Sequence, residues 1–137
     1  MKVFLDSSSF AKRFIKEKGS ESIDGILSKA SVLGLSVICL PEIISALNRK
    51  VREKSLSPYD YSLAKNRLSE DLQDAEIIQL TPNVISHVTT LLEVSNLRAM
   101  DALHVACAIE WEADLFVSSD KIQLQAARKA KLKCKYV

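Results

Sequence analysis

Short apolar segments alternate with longer segments of helical periodicity along this chain, and that alternation constrains the fold more than any other feature. Strands are predicted over residues 2–5, 35–40, 76–80, 115–117 and 134–136. Strands joined through helices form a mostly parallel sheet with right-handed crossovers, covered on both faces. We therefore expect an α/β fold in three layers, α/β/α, with about five strands in the central sheet.

Turn and capping residues mark the ends of the helices between these strands. A helix from about Ser9 is expected to run to the break at Gly19, and a second helical stretch follows it toward Gly34. Pro41 is expected as the first residue of the next helix. Later helix starts are indicated by two pairs of a capping residue and a proline, Ser57-Pro58 and Thr81-Pro82, and by the polar residues Asn96 and Asp120.

Composition favours one domain spanning residues 1–137, because this length with 47% hydrophobic residues suffices for a single core. The net charge of +2 is too small to indicate a nucleic-acid partner by itself. The three cysteines are far apart and odd in number, which favours buried, reduced thiols. No segment has the length of a signal peptide's apolar region or of a membrane span. We expect a cytoplasmic protein with no membrane association.

Four acidic residues stand where an apolar segment ends or a helix begins, namely Asp6, Glu42, Asp101 and Asp120. In parallel α/β folds, ligands gather beyond the carboxyl ends of the strands, where Asp6 and Asp120 fall. Glu42 and Asp101 approach that edge from helix starts. Carboxylates held close together need a compensating positive charge, and hard cations such as Mg²⁺ and Mn²⁺ prefer oxygen ligands. The pattern therefore predicts a divalent metal site.

Each acid also has a simpler interpretation. Asp6 and Asp120 are each suited to capping the helix that follows, and Glu42 to interacting with the positive end of a helix dipole. Asp101 begins a mostly apolar helix, which offers little reason for a carboxylate unless something pairs with it. His104 lies on roughly the same helical face as Asp101, but a packed, hydrogen-bonded histidine explains it better than a metal ligand. Two isolated histidines make no zinc motif.

Four segments of the chain carry a shared pattern: Val3-Phe4-Leu5-Asp6-Ser7-Ser8, Pro41-Glu42, Asp101-Ala102-Leu103-His104-Val105-Ala106 and Val117-Ser118-Ser119-Asp120. Together they resemble the PIN-domain nucleases, in particular the VapC-type toxins of bacterial and archaeal toxin–antitoxin systems. The resemblance covers essentially the whole chain and implies the three-layer PIN fold. It makes the four acids the metal-binding set, with the Ser8 and Ser118 hydroxyls nearby. Lys121 and its neighbours stand where some relatives have a further acid.

The resemblance also implies that the protein is an endoribonuclease that acts as a toxin. This enzyme would depend on Mg²⁺, with Mn²⁺ as a possible replacement. Asp6 is expected as the central metal ligand, and a metal-activated water would cleave RNA directly to a 5′-phosphate and a 3′-hydroxyl. The expected partners are RNA, a cognate antitoxin protein and a second copy of the chain in a homodimer. Four basic residues are candidates for holding the RNA backbone, although for any one of them an exposed helix charge is the favoured interpretation: Lys12, Arg13, Arg49 and Lys121.

Two other functions compete with this one. A receiver or haloacid-dehalogenase type phosphoryl-transfer module also has an aspartate after its first strand, but the second of these types needs another aspartate two residues later, where this chain has Ser8. The other alternative is a PIN-like protein without catalysis that binds RNA or scaffolds a complex. RNA cleavage in the presence of metal distinguishes these possibilities.

Overall fold

A five-stranded parallel sheet lies at the centre of the computed structural model, which describes residues 1–137. The strands are β1 (Lys2–Leu5), β2 (Val32–Ser36), β3 (Glu76–Ile78), β4 (Leu115–Ser118) and β5 (Cys134–Tyr136). Their order in the sheet is β3-β2-β1-β4-β5, and every neighbouring pair is parallel. All five carboxyl ends therefore lie at one edge of the sheet.

Seven helices connect and cover the strands. They are α1 (Ser7–Ala11), α2 (Ser20–Lys29), α3 (Cys39–Arg52), α4 (Pro58–Asp74), α5 (Pro82–Val94), α6 (Ala99–Glu110) and α7 (Lys121–Lys129). The predicted starts of α4 and α5 are confirmed, because Ser57 and Thr81 accept hydrogen bonds from backbone N–H groups at those starts. None of the helices combines the length and the apolar composition that crossing a bilayer would require.

Side chains alternate between the two faces of the sheet and divide the core into two parts. Phe4 and Phe116 stack with ring centroids 6.0 Å apart and pack with α5, α6 and α7. Val3, Leu5 and Val117 point the other way and pack with α1, α2, α3 and α4. The predicted three-layer α/β/α fold is confirmed. The cysteines are unpaired. Cys39 and Cys107 are buried as predicted, whereas Cys134 is only partly buried.

The prediction for the first helix is wrong in its extent. We expected it from about Ser9 to Gly19, whereas α1 begins at Ser7 and ends at Ala11. It begins earlier because the Asp6 side chain is the cap. The chain then leaves the helix and is held by side-chain bonds, including one from Lys12 Nζ to the Lys18 carbonyl at 2.6 Å. Gly19 adopts a left-handed conformation with a φ of 99° just before α2, which favours glycine there.

The prediction for the second strand is shifted. We expected residues 35–40, but β2 spans Val32–Ser36 and pairs Gly34 with Phe4. Glycine is required at position 34 because the Trp111 ring packs directly on it, and a Cβ there would lie 2.5 Å from Trp111 Cζ3. The apolar residues after the strand turn into α3, which begins at Cys39, so Pro41 is its third residue and not its first. Strand β3 also ends two residues earlier than predicted.

Candidate active site

Asp6 is the most tightly held of the four acids. It follows β1 and is only 1% exposed. Its Oδ1 accepts hydrogen bonds from Ser9 N–H at 2.9 Å and from Ser9 Oγ at 2.7 Å. Its Oδ2 accepts from Ser8 Oγ at 2.9 Å and from Ser118 Oγ at 2.7 Å. A carboxylate has about four acceptor positions, so these donors fix its orientation completely.

Asp120 caps α7 and is connected to Asp6 through a serine. Its Oδ1 accepts from the backbone N–H groups of Ile122 at 2.8 Å and Gln123 at 3.4 Å. The Ser118 hydroxyl accepts from Asp120 N–H at 2.9 Å and donates to Asp6. The acids at the ends of two neighbouring strands, β1 and β4, are therefore joined by a chain of two hydrogen bonds.

Glu42 lies in the first turn of α3 and is held by two side chains from other elements. Its Oε1 accepts from Ser7 Oγ at 2.7 Å and lies 2.5 Å from His104 Nε2. Burial acts to raise the pKa of Glu42, but the hydrogen bonds from His104 and Ser7 outweigh it and the pKa is lowered. Glu42 is therefore ionised at neutral pH. His104 is 2% exposed, which confirms a packed, hydrogen-bonded histidine.

Asp101 lies in the first turn of α6, where the charges of the other three acids affect its pKa. Its pKa is raised, first by burial and then by the negative charges of Asp120, Asp6 and Glu42, against a lowering effect of His104. Its Oδ1 accepts a hydrogen bond from Gln123 Nε2 at 3.1 Å. Together with the bonds that join Asp120 to Asp6 and Glu42 to Ser7, this contact places all four predicted acids at one edge, from four separate segments of the chain.

The donors at this edge fit a hard divalent cation in their chemistry. They are carboxylate and hydroxyl oxygens, the ligands that Mg²⁺ and Mn²⁺ prefer. Asp101 and Asp120 line a common cavity of about 340 Å³. No three His, Cys, Asp or Glu side chains stand close enough to form a ready-made metal site, so binding an ion needs side-chain rotation. A cation here would relieve the repulsion that raises the pKa of Asp101.

A cysteine lies beside these acids but is unsuited to nucleophilic attack. Burial raises the pKa of the Cys39 thiol to about 12, with the charges of Asp6 and Glu42 adding to the effect against a hydrogen bond with Ser7. A thiol with such a pKa stays protonated at neutral pH, and the thiolate is the reactive form. The site therefore offers acids and hydroxyls, but no activated thiol.

The four basic residues predicted to contact RNA have different surroundings. Arg13 is engaged in ion pairs with Asp71 and Asp24, and hydrogen bonding to Asp71 raises its pKa against the effect of burial. Lys12 lies 3.6 Å from a carboxylate oxygen of Glu17. Two are exposed at helix ends, Arg49 in the last turn of α3 and Lys121 at the start of α7.

Sequence reasoning missed three residues that hold the acids in place. Ser7 bonds Glu42, Ser9 bonds Asp6, and Gln123 bonds Asp101. A signal existed for Ser9, because a residue three positions after a capping aspartate meets that cap. Gln123 has the same spacing from Asp120, but its side-chain bond to Asp101 joins residues 22 positions apart. The contact of Ser7 with Glu42 joins residues 35 positions apart, which local pattern does not show.

Fold and site together define a parallel α/β protein with an acidic cluster at the carboxyl edge of its sheet. The model of the family described as PIN domain matches residues 3–129. The chain therefore belongs to the PIN-domain family, as the resemblance predicts. Two curated relatives, Ribonuclease VapC45 and Ribonuclease VapC49 from Mycobacterium tuberculosis strains, are each 26% identical over 107 residues, covering 78% of this chain and 74% of their own length.

Solved structures share the same architecture. VapBC2 from Rickettsia felis, bound to a DNA fragment from its promoter, superposes with a TM-score of 0.71 at 16% identity, covering 100% of this chain and 99% of its own. VapC20 from Mycobacterium tuberculosis, described as a sarcin-ricin loop cleaving toxin, gives a TM-score of 0.69 at 17% identity, covering 90% and 94% of the two chains. At these identities the likeness shows a common fold.

Proposed function

We propose that this protein is a divalent-metal-dependent endoribonuclease, the toxin of a type II toxin–antitoxin pair. The observation that carries the proposal is the hydrogen-bond network that brings four acids from separate segments of the chain to one edge of the sheet. Membership of the PIN-domain family and two curated relatives named as ribonucleases support it. The non-catalytic alternative gives no reason to gather four acids there, where the charges of the other three help to raise the pKa of Asp101.

Mg²⁺, or Mn²⁺ in its place, is the proposed cofactor, held by Asp6 at the centre with Asp101 and Asp120 around it. Such an ion would activate water and stabilise the charge on the departing oxygen of a phosphodiester. The four donors to Asp6 keep it oriented, and turning the Ser8 or Ser118 hydroxyl away would free Oδ2 for the ion.

Glu42 is proposed to orient the attacking water. It is ionised at neutral pH, and its bonds to Ser7 and His104 occupy Oε1, so Oε2 remains available to accept from a water molecule. No covalent intermediate is needed, because the neighbouring thiol is protonated and the water can attack directly. The products would carry a 5′-phosphate and a 3′-hydroxyl.

The proposed partners are an RNA substrate, a cognate antitoxin and a second copy of the chain. Solved structures that share this fold include a VapBC complex and a toxin–antitoxin complex from Klebsiella pneumoniae. This similarity supports an antitoxin partner. The three unpaired cysteines are compatible with the reducing cytoplasm.

RNA cleavage tests the proposal. Wild type should cleave a mixture of structured RNAs with Mg²⁺ or Mn²⁺ and lose this activity in EDTA. Asp6→Asn should lower the rate by roughly a hundredfold or more, because it removes a charged central ligand. Asp74→Asn removes the same charge at the end of α4 and serves as the matched control. Equal cleavage by Asp6→Asn and wild type refutes the metal site, and RNA binding without any cleavage supports the non-catalytic alternative.

A further inference from the structure

An exposed tyrosine stands at the same edge of the sheet as the acids. Tyr136 is the last residue of β5 and pairs in register with Ser118 of β4, whose hydroxyl donates to Asp6. Neighbouring strands lie roughly 4.8 Å apart. The backbone of Tyr136 is therefore about one strand spacing from a residue that contacts the central carboxylate.

A lysine lies over the ring of this tyrosine. Lys121 follows Asp120 directly and begins α7, and its Nζ is 5.7 Å from the centroid of the Tyr136 ring. This distance lies within the range of a cation–π interaction. Lys121 forms no ion pair with any carboxylate, so its charge stays available beside the ring. Tyr136 as a residue is 50% exposed.

None of the other aromatic side chains presents an exposed ring at the edge of the sheet that carries the acids. Phe4, Phe10 and Phe116 are fully buried, and Phe14 packs edge-on against Phe10. The Trp111 indole donates to Glu76 and its ring packs on β2. Tyr59 is 72% exposed and Tyr61 accepts a hydrogen bond from Asn48, but both lie on α4, which contributes none of the four acids. Tyr136 is therefore the exposed aromatic ring that belongs to the acidic edge.

We propose that Tyr136 and Lys121 form a subsite for one unpaired nucleotide of the RNA, with the base stacked on the ring and a phosphate held by the ammonium group. The subsite rests on the proposed ribonuclease function and deepens it. Exposed aromatic rings bind bases that are free of their partners, whereas a duplex keeps its bases stacked inside. The favoured substrate class is thus single-stranded or looped RNA, with the stacked nucleotide close to the scissile phosphate.

Binding measurements in a non-cleaving background test the subsite. Asp6→Asn is combined with Tyr136→Ala, and the dissociation constant is measured by fluorescence anisotropy for a short labelled single-stranded RNA and for the matching duplex. Losing the ring should weaken binding of the single strand on the order of tenfold and leave the duplex nearly unchanged. Tyr136→Phe should bind like the parent, because stacking does not need the hydroxyl. Tyr59→Ala is the matched control and should have no effect.

Salt dependence tests the lysine. Lys121→Ala should reduce the slope of log affinity against log salt by about 0.7, the value for one phosphate contact on a single strand. Lys65→Ala, an exposed lysine on α4, should leave the slope unchanged. Tyr136→Leu retains apolar bulk in the strand but lacks a flat ring, so it should weaken binding even if the alanine variant is less stable.

The subsite is overturned if Tyr136→Ala binds the single strand as well as Tyr59→Ala does, or if it weakens the duplex equally. It is also overturned if the Asp6→Asn parent binds no RNA. Failure of the ribonuclease proposal is a separate result, since it depends on cleavage by the protein with Asp6 intact.

Discussion

The Asp101→Asn variant should be more stable than the wild type without metal and less stable than the wild type with metal. In EDTA the variant should melt above the wild type, because asparagine removes a carboxylate whose pKa is raised by burial and by three neighbouring acids. The bond from Gln123 can persist, since Asn has an Oδ1 that accepts it. In saturating Mn²⁺ the wild type should melt higher, because the same carboxylate then stabilises the bound ion.

The expected magnitudes follow from the partial exposure of this group. Charge interactions of partly exposed groups are worth up to about 1 kcal/mol, so removing the repulsion at Asp101 should stabilise the protein by about 0.5–1 kcal/mol. For a chain of this size that is about 2–4 °C in EDTA. An ion present at a hundred times its dissociation constant adds about 2.7 kcal/mol to the wild type, or about 10 °C. The stabilisation of the wild type by the metal ion should therefore exceed the destabilisation by carboxylate repulsion, and the wild type should melt above Asp101→Asn.

The pH dependence in EDTA has a defined sign. Because the folded state raises the pKa of Asp101 above its ordinary value of 3.8, the folded wild type binds a proton more readily than the unfolded chain. The destabilisation of the wild type is thus fully present above the raised folded pKa. It is relieved as the pH falls through that value toward 3.8. The stability advantage of Asp101→Asn should shrink over the same window.

Differential scanning fluorimetry of both proteins, with EDTA or Mn²⁺ and at several pH values, measures these effects. Asp74→Asn carries the same charge change and should show neither the reversal nor the pH-dependent difference. If Mn²⁺ shifts the melting temperature of wild type and Asp101→Asn equally, Asp101 is not part of a metal site.

Three further predictions concern the surroundings of the site and the core. Glu42→Gln should destabilise the protein by about 1 kcal/mol at pH 7, as measured by urea unfolding. Because hydrogen bonds from His104 and Ser7 lower the pKa of Glu42 against the effect of burial, this difference in stability should disappear as the pH falls from about 4.5 through the folded pKa. Gly34→Ala should cost about 1–3 kcal/mol, and a smaller side chain at Trp111 should recover part of it in a double-mutant cycle. Arg13→Ala should lower the melting temperature through its lost ion pairs while leaving the salt dependence of RNA binding unchanged.

The local sequence pattern predicted the fold class and where most helices and strands begin. It failed to predict features that depend on contacts between residues far apart in the sequence. The starts of α4 and α5 were predictable because a capping hydroxyl and a proline act within one turn. The position of β2 was not, because the apolar run continues past the strand into α3. The need for glycine at position 34 comes from the ring of Trp111, which lies far away in the sequence.

The four acids of the candidate site could be selected from the sequence, and the family resemblance added Ser8 and Ser118, which donate to Asp6. The acids stand at element boundaries, which periodicity locates. The side chains that bond Glu42 could not be predicted, because Ser7 and His104 belong to other elements and reach it across 35 and 62 positions. Predicting such contacts requires the packing of α6 against the rest of the fold, which no local rule supplies.

The helix-capping and metal-binding interpretations of the two strand-exit aspartates do not compete. Asp6 caps α1 through Oδ1, and Asp120 caps α7 through Oδ1. In each case the cap uses one oxygen and fixes the plane of the carboxylate, so the other oxygen acquires a defined direction. In Asp6 that second oxygen meets two hydroxyls whose protons can turn away. Because a metal ligand must be ionised and oriented, the cap prepares each aspartate for the role we propose.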